Sequence, residues 1–333
     1  MVAPKHPNGY RLGIVNPLTL VGAEITTILR ERAFPFAKIV LLDSTGQSTG
    51  ALTDVGDEAA VVIAVSDDEL EDCDLVFFCG PPAINREWID RYADDRFVAI
   101  DLSQPSSSEE GKLVVAGINL ESVEEGDALI VSPHPIALPL ALLLHQLGRL
   151  TAVDLCAATV VQPASEFEQA GMEELARQTL GVLNISPVPK EIFDRQLAFN
   201  LYPALEHNEE LILSQVRALT AARTEVALLV TQGAIFHGHT FSLFVKTGQE
   251  ISREQIAETL RANPAIALPE GDQAFGTIDA ASKDEVLVAE IRPDPGIRGG
   301  FWLWAVCDNV RRGSALNAVL IAEKVLFGSG LTN

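Results

Sequence analysis

The run YRLGIVNPLTLVGAEITTILRERAFPFAKIVLLD, from Tyr10 to Asp43, decides the first half of the fold. Tyr10 to Val15 is a short apolar strand. Leu20, Val21, Ile25, Ile28 and Leu29 then recur at helical spacing, which predicts a helix over Leu20 to Arg32. Lys38 to Asp43 is a strand again. The alternation continues outward. Ala59 to Val65, Asp74 to Cys79, Phe97 to Asp101 and Ala128 to Val131 read as strands, with a brief one at Val114-Val115, and Ala83 to Tyr92 reads as a helix. Each strand is a continuous apolar run. Strands of that kind are buried on both faces, so they predict a parallel sheet between helical layers, a doubly wound α/β domain.

The pattern changes after Ser132. A helix over Ile136 to Leu147 leads into a longer strand, Thr151 to Val161, and Glu166 to Leu183 is helical. Thr224 to Thr231, His239 to Thr247, Glu285 to Arg292 and Phe301 to Cys307 are long strands with polar alternation. They predict a largely antiparallel or mixed sheet, hence a second domain of α+β character. A last helix, Asn309 to Phe327, ends at Gly328. No internal repeat or low-complexity tract is visible, and Ser106 to Gly111 reads as a polar loop.

Composition narrows the function. Asp and Glu number 46 against 24 Lys and Arg, a formal charge of −22. Nucleic acids and anionic membrane surfaces would both repel such a chain. Apolar residues make up 47% and charged ones 21%, which is a globular balance. The apolar run Ile136 to Leu144 contains Pro139 and is too short to span a bilayer. Met1 to Arg11 has no apolar core, so no signal peptide is expected. Cys73, Cys79, Cys156 and Cys307 form no CxxC pair and sit in apolar stretches, as buried thiols of a cytoplasmic protein do.

Four segments carry a resemblance. Ile291-Arg-Pro-Asp-Pro295 is followed by Trp304-Ala-Val-Cys-Asp-Asn-Val-Arg-Arg-Gly-Ser-Ala-Leu-Asn-Ala-Val319. With Ala198-Phe-Asn-Leu-Tyr-Pro203 and Gln169-Ala-Gly-Met-Glu-Glu-Leu175, they resemble the motifs of the aspartate-semialdehyde dehydrogenase family, in particular its Usg-like branch. The resemblance covers nearly the whole chain. It implies a Rossmann-type sheet over residues 1–132 and a dimerisation and substrate domain over 133–308, resembling the C-terminal domain of glyceraldehyde-phosphate dehydrogenase. It also implies a C-terminal helix, 309–333, returning to the first domain, a homodimer, and NADP-dependent, phosphorylating oxidation of an aldehyde in amino-acid biosynthesis.

The residues depart from that chemistry. A dinucleotide fold needs a glycine-rich turn after its first strand. The family's loop falls on Asn16-Pro-Leu-Thr-Leu-Val-Gly22, and only Gly22, which packs helix on strand, is retained. Pro17 has no N–H, and Leu18 and Leu20 bring bulk to a phosphate seat. By resemblance the remaining cofactor contacts are Thr19, Leu20 and Val21 on this loop and Asn309 in the C-terminal signature. The second glycine pair falls on Gly80-Pro81-Pro82. No basic residue for a 2′-phosphate follows Asp43, whose carboxylate favours NAD over NADP. The expectation is no cofactor, with NAD(P) the one if any binding survives.

Family members attack the aldehyde with a cysteine thiolate at a helix N-terminus and move protons with a histidine. Here Ser132-Pro-His-Pro-Ile136 stands there, and Pro135 holds the nucleophile's position. His239 matches the catalytic histidine and Gln162 the glutamine that positions the substrate. Gln232 stands where the substrate's carboxylate meets an arginine, and Asp101-Leu-Ser-Gln104 is followed by no arginine for phosphate. His237 and His239 on a strand would share one face and, with His134, could be imagined around zinc. No acidic or cysteine ligand is clearly placed beside them, and no metal is expected.

The leading expectation is a catalytically silent homologue, acting as a dimeric binding or regulatory protein with a small-molecule ligand in its crevice. The alternative is an active NAD(P)-dependent semialdehyde dehydrogenase with relocated catalytic groups. A third reading is different chemistry involving the histidines.

Overall fold

The computed structural model describes residues 3–55, 58–92, 96–103, 110–204, 208–220, 224–270 and 274–328. Most of the polar loop expected over Ser106 to Gly111 lies outside them. The chain divides into two compact units, 1–134 with 314–333, and 135–313. The seams thus fall a few residues beyond the expected 132 and 308.

In the first unit, β1 (Arg11–Val15) leads to α1 (Leu20–Glu31), which buries Gly22, Ile25, Ile28 and Leu29 on one face. β2 (Lys38–Asp43) follows. The strand expected over Ala59 to Val65 is two pieces. β3 (Leu52–Val55) and β4 (Glu58–Val61) form a separate hairpin, and β5 (Ile63–Ala64) pairs with β2. Between them Val62 is fully buried and exchanges backbone hydrogen bonds with Gly50 and Ala51, which breaks the run.

After α2 (Asp67–Glu71), β6 (Leu75–Phe78), α3 (Pro82–Tyr92), β7 (Val98–Asp101), β8 (Lys112–Leu113) and β9 (Leu129–Val131) complete the unit's sheet. The order is β5-β2-β1-β6-β7-β9-β8 with every pair parallel, the doubly wound arrangement. The brief strand is Lys112–Leu113 and not the expected Val114-Val115; just beyond it Asn119 Oδ1 accepts the Val115 N–H (2.8 Å) and Asn317 Oδ1 that of Ala116 (2.8 Å).

The C-terminal helix, Leu316–Phe327, packs Ala318, Val319, Ile321, Ala322 and Val325 into this unit's core. Its fully buried Glu323 is held by Arg32, with Nε to Oε1 at 2.5 Å and Nη2 to Oε2 at 3.0 Å. A helix from Asn309 was expected. Instead Arg311–Ala315 form a wider π-type turn, and the Asp308 carboxylate takes the N–H groups of Val310 and Arg311.

The second unit contains α4 (Ala137–Gly148), β10 (Val153–Gln162), α5 (Glu168–Leu183), β11 (Leu201–Pro203), α6 (Glu209–Leu219), β12 (Glu225–Gly233), β13 (His239–Thr247), α7 (Arg253–Arg261), β14 (Ile266–Ala267), α8 (Thr277–Ala280), β15 (Val286–Pro293) and β16 (Gly300–Cys307). Its sheet is mixed, in the order β11-β12-β10-β13-β16-β15-β14. β12 and β10 run parallel, as do β14 and β15, while the other pairs are antiparallel.

Helix α4 is buried almost all round, against β10, α6 and α7. The face of the sheet that carries Ala227, Leu229, Ala157, Thr159, Phe244 and Trp304 is different. There Leu229 is 53% and Trp304 38% exposed. Among the described residues no helix is long and apolar enough to cross a membrane.

Candidate functional site

Three strand ends of the second unit supply the site. Gln162 closes β10, Gln232 stands opposite it near the end of β12, and His239 opens β13. The parallel register aligns the two buried glutamines. Gln162 Nε2 donates to Gln232 Oε1 (2.8 Å), and Gln232 Nε2 returns a hydrogen bond to the Gln162 carbonyl (3.2 Å). The amide pair lines a small cavity of about 60 Å3 with Phe167, Phe193, Arg195 and Tyr202. The Arg195 guanidinium lies 4.9 Å from the Tyr202 ring centroid. A larger groove, about 260 Å3, runs beside Arg253, Arg261 and Glu290 on β15, three strands away from β10.

The cavity wall is templated from α5. Glu174 and Gln178 lie one turn apart on its buried face, both fully enclosed. The Glu174 carboxylate accepts the backbone N–H groups of Glu191 (2.6 Å), Ile192 (2.8 Å) and Phe193 (3.1 Å). Gln178 Oε1 accepts those of Leu197 (2.6 Å) and Ala198 (3.0 Å), while its Nε2 donates to the carbonyls of Pro189 (2.8 Å) and Arg195 (3.0 Å). Two side chains thereby satisfy a stretch of irregular backbone that has no ladder to bond to.

His239 is fully enclosed. Its Nε2 lies 3.3 Å from Glu166 Oε1, too poorly directed for a hydrogen bond, and neither ring nitrogen completes one. Burial, aided by neighbouring His237, pushes the imidazole down to about 3. The Pro135 carbonyl and Asp308 oppose that shift only in part, so the ring is neutral at neutral pH. The Pro135 carbonyl facing the ring also means that position 135, just before α4, lies beside His239.

Around this ring runs a polar chain. Glu166 Oε1 accepts from Asn309 Nδ2 (2.8 Å), and Asn309 Oδ1 accepts from the Gly238 N–H (3.0 Å) and Ser165 Oγ (3.2 Å). His237 Nε2 meets Asp308 Oδ1 at 3.0 Å. Burial works to raise the Asp308 carboxyl, but hydrogen bonds from His237 and the N–H groups of Arg311 and Ser282 hold it below its usual value.

The expected residues therefore divide. Gln162, Gln232, His239 and Pro135 all belong to the second unit. Asn309, expected at a cofactor, bonds Ser165, Glu166 and Gly238 of that same unit. His237 and His239 do not share a strand face, because Gly238 between them has φ +88° and β13 begins only at His239. His134 falls in the other unit. Among the described residues no cluster of three metal-ligating side chains forms.

Glu166, Asp308, Glu174 and Gln178 escaped the sequence reading. Glu174 and Gln178 left a signal, two polar residues on the stripe Gly171, Leu175, Gly181 that faces inward. Glu166 and Asp308 left only their closeness in sequence to Gln162 and Asn309.

The semialdehyde dehydrogenase NAD binding domain matches residues 12–126, and the semialdehyde dehydrogenase dimerisation domain matches residues 143–312. The chain belongs to the aspartate-semialdehyde dehydrogenase family. A USG-1 protein homolog of Azotobacter vinelandii is 30% identical over 327 residues, covering 95% of this chain and 97% of that one. The aspartate-semialdehyde dehydrogenase of Aquifex aeolicus is 28% identical, covering 97% and 99%. Among solved structures, a probable aspartate-semialdehyde dehydrogenase from Pseudomonas aeruginosa superposes with a TM-score of 0.90 at 27% identity, covering 96% and 99%.

The family's NAD binding domain implies a dinucleotide, which would meet the residues after β1. Pro17 offers no N–H. Thr19 turns its hydroxyl oxygen to the Gly22 N–H (3.1 Å) and so caps its own helix. Leu18 is 47% exposed, an apolar side chain beside the turn. Asp43, the residue that would take a ribose hydroxyl, is 2% exposed and already accepts from Thr45 (N–H 2.9 Å, hydroxyl 2.7 Å), Gly46 (3.1 Å), Ser48 (2.7 Å) and Thr49 (2.9 Å). Those donors outweigh its burial and hold it down to about 2. The Thr19 hydroxyl at the phosphate end and the Asp43 carboxylate at the ribose end are thus both already engaged within the protein.

Proposed function

We propose that this chain is an aspartate-semialdehyde dehydrogenase homologue that has lost the covalent chemistry and acts as a dimeric binding or regulatory protein. One observation carries the reading: Pro135, not a thiol, stands beside His239. Family chemistry needs a thiolate there, and proline has neither a nucleophile nor an N–H. His239 supports the same reading. A fully buried imidazole pushed down to about 3 is a poor base, and nothing beside it needs deprotonating.

The four cysteines offer no substitute. All are buried, and burial raises the thiols of Cys73 and Cys156 to about 12 and that of Cys307 still further. Buried thiols outside any disulfide are consistent with a cytoplasmic protein. The misfit at the phosphate and ribose ends supports a chain that works without a nicotinamide cofactor. The polar groups of Gln162, Gln232 and Arg195 support a binding role at their cavity, whose volume of about 60 Å3 suits only a very small polar group. The open sheet face with Leu229 and Trp304 is the surface for a second copy, in keeping with the family's dimerisation domain.

The test is turnover of aspartate semialdehyde by the purified chain with phosphate and NADP. No activity above background is expected. Activity lost on changing one of the four cysteines would instead establish a relocated nucleophile.

A further inference from the structure

We propose that the dinucleotide seat of the first unit is closed by the protein's own side chains: the Thr19 hydroxyl serves the helix terminus in place of a phosphate oxygen, and the Asn16 carboxamide seals the strand ends beside it. The inference deepens the cofactor reading above. Its test is binding, so it can fail while the missing nucleophile stands.

The seat is defined by topology. The sheet order reverses between β1 and β6, and in open parallel sheets ligands enter the crevice beyond the carboxyl ends of the strands at that point. Asn16, Ser44 and Cys79 are the first residues past β1, β2 and β6. Asn16 is only 6% exposed. Its Nδ2 donates to the Cys79 carbonyl (2.8 Å) and to Ser44 Oγ (2.9 Å), and its Oδ1 accepts the Ser44 N–H (3.1 Å). One side chain therefore ties all three strand ends together. Asn85 of α3, fully buried, adds a second donor to the Cys79 carbonyl (2.8 Å) and accepts from Ser44 Oγ (3.3 Å).

Packing around this network is tight. A Cβ placed on Gly80 would lie 2.9 Å from Asn16 Nδ2, and one on Gly22 would lie 2.6 Å from the Asn16 carbonyl oxygen. Gly22 thus keeps the role expected of the glycine that lets helix pack on strand. Asn16 itself has φ +57°, a left-handed conformation that glycine takes freely and that asparagine tolerates better than most residues. The turn is preserved, and a carboxamide fills the space that glycine leaves open.

Thr19 completes the closure. A phosphate at a helix N-terminus is held by the first backbone N–H groups, and an N-cap oxygen satisfies the same donors. Thr19 Oγ1 accepts from the Gly22 N–H and donates to the Asn16 carbonyl (2.9 Å), so its hydroxyl links the cap to the sealed strand end.

The experiment is calorimetric titration of NADP and NAD into the full chain and into an Asn16→Gly, Thr19→Gly double variant. Both substitutions suit the backbone, since φ is positive at 16 and glycine is an acceptable N-cap. The native chain is expected to show no saturable binding up to about 1 mM, and the double variant at least about tenfold tighter binding. A low-micromolar Kd for the native chain would overturn the proposal. So would a double variant that melts as cooperatively as the native chain in the same assay, yet gains nothing. If the double variant does not fold, Asn16→Gly alone carries the same comparison.

Discussion

Replacing Glu174 by alanine tests how the ligand cavity is built. The carboxylate is fully buried and accepts three backbone N–H groups, at 2.6, 2.8 and 3.1 Å. Alanine removes both acceptor oxygens and with them all three bonds. The Phe193 N–H is enclosed and would lose its partner outright, a cost of about 1–3 kcal/mol, while the N–H groups of Glu191 and Ile192 are partly accessible and can recover water. With the charge-assisted bonds gone and Gln178 left without its neighbour, the loss should total about 3–5 kcal/mol. Glu174→Gln keeps one acceptor oxygen but turns an N–H2 group toward backbone donors, so it should lose roughly half as much.

Two of the three tryptophans, Trp302 and Trp304, lie on β16 of the same unit, so urea unfolding followed by tryptophan fluorescence reports on this part of the chain. The wall residues Ile192, Phe193 and Arg195 sit on the affected segment, so any ligand of the cavity should bind more weakly in both variants. A loss below about 1 kcal/mol for Glu174→Ala would refute the templating argument.

Two further predictions follow from the same geometry. His239 is held neutral with its pKa lowered to about 3, below the ordinary 6.5, so the native state binds fewer protons than the unfolded chain between those values. Its contribution to stability is complete above pH 6.5 and declines as pH falls toward 3, and His239→Asn should flatten that slope in urea unfolding measured across the window. Leu229→Glu adds a charge to the open sheet face and should shift sedimentation from dimer toward monomer near 0.15 M salt, where the Debye length is about 8 Å; an unchanged dimer would move the interface elsewhere.

Much of the fold was readable because its signals are local. The apolar run Lys38–Asp43 and the alternating segment His239–Thr247 match their strands residue for residue. The failures have physical causes. The run Ala59 to Val65 looks continuous, but Val62 turns inward and divides it between a hairpin and the main sheet. The helix expected from Asn309 opens instead as a π-type turn: Asp308 caps it through the Val310 and Arg311 N–H groups, and its carbonyl accepts from Gly313 (2.8 Å), a spacing that helical periodicity does not register. Short amphipathic helices such as α6 and α7 were overlooked between the stronger strand signals.

The site was legible where residue type alone carries meaning: a proline where a thiol is needed, and a loop nearly stripped of glycine. It was not legible where meaning lies in partnership. Asp43 looked like a ribose ligand, yet its oxygens are occupied by the hydroxyls and N–H groups of its own loop. Glu166 lies next to His239 only because the turn after β10 folds back, with the Ala164 N–H on the Ile235 carbonyl (2.7 Å) and the Ser165 N–H on that of Phe236 (3.0 Å).

The most direct measurement of the central claim is steady-state oxidation of aspartate semialdehyde by the native chain, with phosphate and both nicotinamide cofactors, beside Pro135→Cys. The account predicts no turnover in either protein. The new thiol should gain alkylation near the ordinary cysteine pKa of about 8.5, because a neutral His239 gives it no cationic partner. Turnover by the native chain that survives careful removal of contaminating enzyme would contradict the claim that this chain has given up the family's chemistry.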